Sequence, residues 1–354
     1  MKTLKDFSLS QKRVLVRCDF NVPLDKKGDI LDDFRIKETI PTIKYLIENN
    51  AKVILMSHLG RPEGAVQEYL RLDPIQARLA EHLDVSVAKA QDCVGRAVQD
   101  LIENMAPGGI LLLENLRFHK EEEENDDVFA KDLASLADIY INDAFGVSHR
   151  AHASTAGITK FLPSGSGFLL EKEIKSLTSF MENPARPVIS IIGGAKVETK
   201  VKLIDKIAGI VDFVLIGGLV SKAILGGEIP LTCPKKVIHP IDEIGQGKDI
   251  GPETIKIFKQ KIASAKTIFF NGALGLVENP EFSKGTEEIL NAIVESKAFS
   301  ILGGGDMTRV IVKLGLVDKI NHISTGGGAM LAFLSKEEMP GILALENNYE
   351  NKEY

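Results

Sequence analysis

The stretch Val14–Pro23, VLVRCDFNVP, constrains the fold more than any other part of the sequence. It opens as a run fit for a buried strand and ends in Arg17, Asp19 and Asn21, polar groups that no interior accepts unpaired. They belong at or just past a strand end, where an open α/β sheet binds its ligand. The same transition recurs. Val53–Met56 runs into SHLGRP (Ser57–Pro62), Ile110–Leu113 into Glu114, Asn115 and Arg117, and Ile139–Ile141 into NDAFGVSHRAH (Asn142–His152). After the first strand, Asp32 or Asp33 can cap a helix whose Ile36, Ile40, Ile43, Leu46 and Ile47 recur at helical spacing. Strand, polar loop and helix in alternation predict a parallel sheet with right-handed crossovers, so the loops share one edge.

That edge gathers Arg17, Arg35, His58, Arg61, Arg117, His149 and Arg150. Any one alone reads best as an ordinary surface charge. Together, each after a strand or opening a helix, they form a site for a small, highly charged anion, because guanidinium forks match phosphate and carboxylate oxygens. The acidic run Glu121–Glu124, with Asp126 and Asp127, reads as a solvated loop and helix start.

The second half repeats the alternation with glycines in the loops. Val188–Ile192 leads into GGAKVETK, Phe213–Ile216 into Gly217 and Gly218, Thr267–Phe270 into NGALG, Phe299–Leu302 into GGGD, and His322–Ser324 into TGGGA. Glycine lets backbone amides approach a ligand closely, and the following helix N-terminus adds partial positive charge. One glycine pair means little, since tight turns need glycine anyway; five such turns in one domain point to phosphates. Lys196 and Lys200, four apart, are expected on one face of the helix that opens after Gly194. Asp306 after its three glycines suits a magnesium ligand, a helix N-cap, or both. Neither GxxxxGK[ST] nor GxGxxG with a ribose-binding acid is present, which argues against a P-loop protein and an ordinary dinucleotide oxidoreductase.

Length and composition bound the rest. A chain of 354 residues favours two domains. The helix expected over Leu170–Met181, broken by ENPARP (Glu182–Pro187), marks a domain boundary and a hinge. The expected fold is therefore α/β, two Rossmann-like parallel-sheet domains joined by a helical hinge with a cleft between them: residues 1–169, a linker over 170–185, and 186–339. A formal net charge of −6 gives no general reason to bind nucleic acid or an anionic membrane, so any anion site is local. No apolar run reaches membrane-spanning length and Met1–Ser10 has no signal-peptide core, from which a cytoplasmic location is expected. Cys18, Cys93 and Cys233 are too few and too widely spaced for a disulfide framework or a zinc site, and read as reduced thiols.

The motifs VRCDFNVP, SHLGRP, ENLRFHKEE, NDAFGVSHRAHAST, GGAKV, DIGPET, NGxxGxxE, GGGD and STGGGA, in this order, resemble phosphoglycerate kinase from Val14 to about Leu345. The resemblance implies a glycolytic enzyme that reversibly moves the acyl phosphate of 1,3-bisphosphoglycerate to MgADP, giving 3-phosphoglycerate and MgATP, and it implies a monomer. It implies that Asp19 and Asn21 hold the glycerate hydroxyl region, that His58, Arg61, Arg117 and Arg150 grip the phosphate that is not transferred, and that Arg35 reaches the carboxyl or acyl-phosphate group. Lys196 with Gly326, Gly327 and Gly328 would stabilise the phosphoryl group in flight. Lys200 would contact nucleotide phosphates, with Gly194, Ala195, Asn271, Gly305 and Met307 around them; Asp306 would hold Mg2+, Glu278 the ribose, and Gly217, Gly218 and Gly247 the adenine slot. The C-terminal residues 340–354 would return to the first domain.

The chain departs from the family pattern in its second half. Between Gly218 and Asp249, around 219–248, it is shorter, as if a helix and a strand-containing insert around KKVIHPID were lost; Met307 stands where the pattern has serine or threonine. Two readings follow: an active kinase with a trimmed nucleotide domain, or a catalytically weakened homologue that binds phosphoglycerate as a sensor or scaffold.

Overall fold

The computed structural model describes residues 1–227 and 230–350. Its first sheet contains β1 (Arg13–Arg17), β2 (Lys52–Met56), β3 (Ala88–Lys89), β4 (Ile110–Leu112), β5 (Ile139–Asn142) and β6 (Ser164–Ser166), in the spatial order β3-β4-β2-β1-β5-β6. Every pairing in it is parallel. Strands covered on both faces must be apolar throughout, and Val14, Leu15, Val16, Val53, Ile54 and Leu55 are all fully buried. Register does the rest: Arg17 stands level with Met56 on one side and with Asn142 on the other. The polar loops after β1, β2 and β5 therefore leave one edge together, as the alternation requires.

The second sheet contains β7 (Val188–Ile192), β8 (Phe213–Ile216), β9 (Val237–Ile238), β12 (Thr267–Asn271), β13 (Phe299–Gly303) and β14 (His322–Ser324), ordered β14-β13-β12-β7-β8-β9. It too is parallel throughout. A separate antiparallel hairpin joins β10 (Glu243–Ile244) to β11 (Asp249–Ile250). In each sheet the first strand lies in the middle and the chain later reverses to its other side, giving a switch point at β1/β5 and at β7/β12, where doubly wound sheets open a crevice. The KKVIHPID stretch supplies the edge strand of the second sheet, Val237 pairing with Val214 and Ile238 with Leu215.

Packing divides the chain into two units, Met1–Lys172 with the residues from Glu338 onward, and Glu173–Glu337. The helix Phe168–Glu182 contributes to both. Its N-terminus is held in the first unit by Asp143, whose Oδ1 accepts the Leu169 and Leu170 amides at 2.9 and 3.2 Å. The first long helix begins at Phe34. Asp32, not Asp33, receives the Phe34 amide at 2.9 Å, while Asp33 instead pairs with Lys37, Arg78 and His82. Cys18 and Cys93 are buried and Cys233 half-buried, all as free thiols.

The helix Pro340–Glu350 packs on the first unit. Leu345 is fully buried, and the Asn348 side chain bridges the Ser164 amide (3.1 Å) and the carbonyls of Thr159 (2.6 Å) and Leu162 (3.1 Å). Leu345→Ala should cost about 2–5 kcal/mol through the cavity it leaves, and Asn348→Ala about 1–3 kcal/mol through the donor and acceptors left unpaired. Urea unfolding followed by a probe in the first unit checks this; equal midpoints for wild type and Leu345→Ala would show that the helix adds nothing.

Candidate functional site

In the first unit, the loops past β1 and β2, the start of the helix Phe34–Glu48, and the segments after β4 and β5 surround a cavity of about 210 Å³. Asp19, Asn21, Arg35, His58, Arg61, Arg117 and Arg150 all line it, so the seven residues that the resemblance marks for one ligand are brought together. Four are arginines against a single carboxylate. That carboxylate, Asp19, already lies 3.1 Å from Arg35, whose NH1 also donates to the Asn21 carbonyl at 2.9 Å. Asn21 Oδ1 accepts the Gly60 amide at 2.9 Å, and Arg117 NH1 donates to the Gly60 carbonyl at 3.0 Å, so this loop fixes both. Arg117 Nε and NH2 are buried and make no hydrogen bond, NH2 standing only within ion-pair range of Glu123 at 3.2 Å. Buried donors without acceptors are costly, and a bound anion would satisfy them.

Three members of the expected cationic rim, Arg17, His58 and His149, behave differently. Arg17 is not on the rim: it is fully buried, with Nε donating to Ser154 Oγ (2.7 Å), NH1 to the Cys18 carbonyl (2.5 Å), and NH2 at 3.7 Å from Glu122 Oε1. Glu122 is likewise not solvated. It is fully buried and accepts the Ser154 hydroxyl (2.6 Å) and amide (2.9 Å), because a buried guanidinium needs a nearby countercharge. The rest of the acidic run follows expectation in part, Asp126 capping the helix Asp127–Ser135 through the Val128 and Phe129 amides.

His58 is no cation either. Burial, then the charges of Arg17, Arg117 and Arg35, hold it well below the usual histidine range. Arg17 NH2 faces its Nδ1 at 3.4 Å; since arginine only donates, Nδ1 accepts and the proton sits on Nε2. His152, beside Glu122 at 3.7 Å, is lowered to about 3 by burial and by Arg17, Arg117 and Arg150. His149 does not line the cavity; it accepts from Arg150 Nε at 3.3 Å.

In the second unit, the turns after β7, β8, β12, β13 and β14 line a cavity of about 520 Å³. Gly194, Ala195, Lys196, Lys200, Gly217, Gly247, Asn271, Glu278, Gly305, Asp306, Met307, Gly327 and Gly328 are on its wall. Gly218 and Gly326 are not. Gly218 is packed behind it, where a Cβ would come 3.1 Å from Glu243 and 3.2 Å from the Gly247 carbonyl. Gly326 is the buried N-cap of the helix Gly327–Leu334. Backbone crowding explains the glycines at the switch point: a Cβ on Gly193 would lie 2.2 Å from the Ala273 carbonyl oxygen, and Gly304 adopts φ +124°.

Lys196 and Lys200 both reach the wall of this cavity, from different positions on the helix. Lys196 is the N-cap of the helix Val197–Ile207, and Lys200 turns inward to hydrogen-bond Asn271 Oδ1. Burial, with the nearby charge of Lys196, lowers the Lys200 ammonium to about 8. Asp306 is not an N-cap, since Gly304 holds that position; its carboxylate is free of the backbone and largely exposed in the first turn of the helix Gly305–Lys313. Met307 is fully buried in the wall of the cavity.

Two contributors carry no local sequence signal. Glu173, fully buried on the helix Phe168–Glu182, accepts the Thr325 amide (2.7 Å) and hydroxyl (2.9 Å) and pairs with His322 Nε2 (2.7 Å), pinning the turn that precedes Gly326–Gly328. Arg309 pairs with Asp306. A carboxylate inside an amphipathic helix and an arginine one turn along another both read as solvent-facing.

The comparisons agree with one another. The phosphoglycerate kinase family model matches residues 4–228 and 231–337. Phosphoglycerate kinase of Dictyoglomus turgidum is 46% identical, covering 97% of this chain and 98% of the relative; that of Finegoldia magna is 45% identical, over 96% and 98%. The crystal structure of phosphoglycerate kinase from Pyrococcus horikoshii OT3 superposes with a TM-score of 0.90 at 34% identity, over 99% of this chain and 100% of that one. The Coxiella burnetii enzyme gives 0.82 at 32%, over 98% and 99%.

The histidines make stability depend on pH. An unfolded histidine protonates near 6.5, whereas His152 in the fold stays neutral down to about 3, so the unfolded state binds more protons over that interval and stability falls as pH falls through it. At pH 5.5 His152 should account for on the order of 1 kcal/mol of lost stability relative to pH 8, with His58 acting in the same direction. His152→Asn should flatten the denaturation midpoint between pH 7 and 5; an unchanged slope would show that His152 takes up a proton in the fold.

Proposed function

This chain belongs to the phosphoglycerate kinase family, and we propose that it works by holding its two reactants on the two cavities and neutralising charge between them, without a general base. It is a phosphotransferase whose reaction is the reversible transfer of the acyl phosphate of 1,3-bisphosphoglycerate to ADP, giving 3-phosphoglycerate and ATP. The observation that carries the division of labour is the imbalance of the first cavity, four arginines and a neutral histidine around one carboxylate that is itself paired.

Arg61, Arg117 and Arg150 bind the phosphate that is not transferred, Arg117 with its two hydrogen-bond-free nitrogens and His58 with its Nε2–H. Asp19 and Asn21 orient the glycerate hydroxyl region. Arg35, fastened at one nitrogen to Asp19 and the Asn21 carbonyl, presents the rest of its fork to the carboxyl or acyl phosphate.

In the second unit Lys200, Gly194, Ala195, Asn271, Gly305 and the Met307 backbone receive nucleotide phosphates. Gly217 and Gly247, backed by Gly218, border the base, and Glu278 reaches the ribose. Lys196 with the amides of Gly327 and Gly328, supported by Gly326, meets the phosphoryl group in flight. A bound phosphate raises the Lys200 ammonium back toward its ordinary range, since it restores a countercharge at a buried cation.

The residues fit Mg2+. Asp306 and Glu278 both present exposed carboxylates to a cavity sized for a nucleotide, with Asp306 in the first turn of a helix after the glycines, and Mg2+ is commonly held by one or two carboxylates plus substrate phosphates. When bound it neutralises charge on the phosphates. In the ATP-consuming direction the nucleophile is the 3-phosphoglycerate carboxylate, ionised at neutral pH, so no residue need remove a proton. What remains is an in-line arrangement of the two ligands with water excluded, which requires the units to close upon them. No helix among the described residues is long and apolar enough to cross a membrane. Membership of the family supports a cytoplasmic, monomeric enzyme as part of this proposal.

Arg35→Ala should lower kcat by about 10²–10³ with little change in 3-phosphoglycerate affinity, because the lost contact forms mainly as charge moves. Steady-state kinetics and calorimetry on one preparation check this; kcat within threefold of wild type would remove Arg35 from the reaction.

A further inference from the structure

Arg309 lies where two of the proposed ligand-binding carboxylates meet. Its NH2 is 2.5 Å from Asp306 Oδ1, one helical turn back, and 3.8 Å from Glu278 Oε1 on the segment after β12. A small cavity of about 130 Å³ beside the nucleotide cavity is lined by all three, and Glu278 and Asp306 line both. The next cation on that helix, Lys313, is occupied by Glu287 at 3.3 Å, so Arg309 is the basic group that meets Asp306 among the ion pairs of the described residues. The side chains of Arg309, Asp306 and Glu278 are 49, 61 and 59% exposed.

We propose that Arg309 is a positioning residue of the nucleotide site: in the free protein its guanidinium holds Asp306 and Glu278, and it yields Asp306 when a divalent cation arrives with the nucleotide phosphates. The inference rests on the reading of Asp306 as the metal ligand. The Asp306 oxygen nearest the guanidinium cannot serve arginine and a metal ion in the same geometry, so the two cations compete. Because the pair is half-exposed, it is weak enough to be displaced rather than to block the site. Arg309 thus tunes how strongly nucleotide binding depends on the metal. Asp306 is kept from swinging into solvent, and Glu278 is kept beside it.

The test is the ratio of ADP dissociation constants without and with Mg2+, measured by calorimetry for wild type, Arg309→Ala and Asp306→Asn. Taking the ratio cancels any uniform effect of removing a positive charge near the phosphates. Arg309→Ala should raise the ratio roughly two- to fivefold, the fold-change expected from losing one exposed ion-pair competitor, and Arg309→Lys should fall between it and wild type. The difference should shrink in high salt, which screens the pair. A ratio in Arg309→Ala equal to or below wild type overturns the proposal. Asp306→Asn should bring the ratio close to one; if it leaves the wild-type ratio intact, Asp306 is not the metal ligand, and that separate failure removes the premise together with the inference.

Discussion

The buried guanidinium of Arg17 is the interaction on which the first unit's cavity depends. It sits at the end of the central strand with no exposure to solvent, and its charge is balanced by Glu122, itself fixed by two hydrogen bonds from Ser154. A charge buried in this way costs several kcal/mol unless partners surround it, so the segments carrying Glu122 and Ser154 are committed to one arrangement around β1. These segments lie next to Arg117 and Arg150 in sequence. Fixing the counterion therefore also fixes two of the arginines that face the cavity. Burial first, and the same charge after it, keep His58 and His152 neutral, so the ligand meets a donor at His58 rather than another cation.

The second unit meets the same demand, binding a polyanion, by different means. Where the first unit uses guanidinium forks, the second uses close backbone approach at glycine turns and helix N-termini, with one buried lysine held by Asn271. Arginine forks suit a small ligand with a phosphate and a carboxylate group. Backbone amides suit a chain of phosphates lying along several turns. Both arrangements depend on parallel strands whose ends are level, because only then do loops far apart in sequence reach one crevice.

Much of this is legible in the sequence, for a local reason. An apolar run that stops in Asp19 and Asn21, or in Gly303–Asp306, states both the strand and its ligand-facing end, and the two parallel sheets follow. What is not legible depends on partners remote in sequence. Arg17, at a strand end, and Arg35, opening a helix, look alike as basic residues bound for one rim; only the pairing of Arg17 with Glu122 sends one inward. Glu122 looks like its exposed neighbours, and Lys200 like a surface lysine, until Ser154 and Asn271 are placed beside them. Glu173 and His322 are 149 residues apart and meet only through the fold. Gly218 belongs to the glycine turns, yet it supports the cavity from behind, because a glycine that admits another backbone is indistinguishable in sequence from one that admits a ligand.

The central claim is that the two anions have separate, independently built sites. Calorimetric titration of 3-phosphoglycerate and of MgADP into wild type and Arg150→Ala tests it most directly. One equivalent of each should bind the wild type, and Arg150→Ala should weaken 3-phosphoglycerate by about tenfold or more while leaving MgADP within about twofold. Equal weakening of both ligands, or unchanged 3-phosphoglycerate binding, would contradict it.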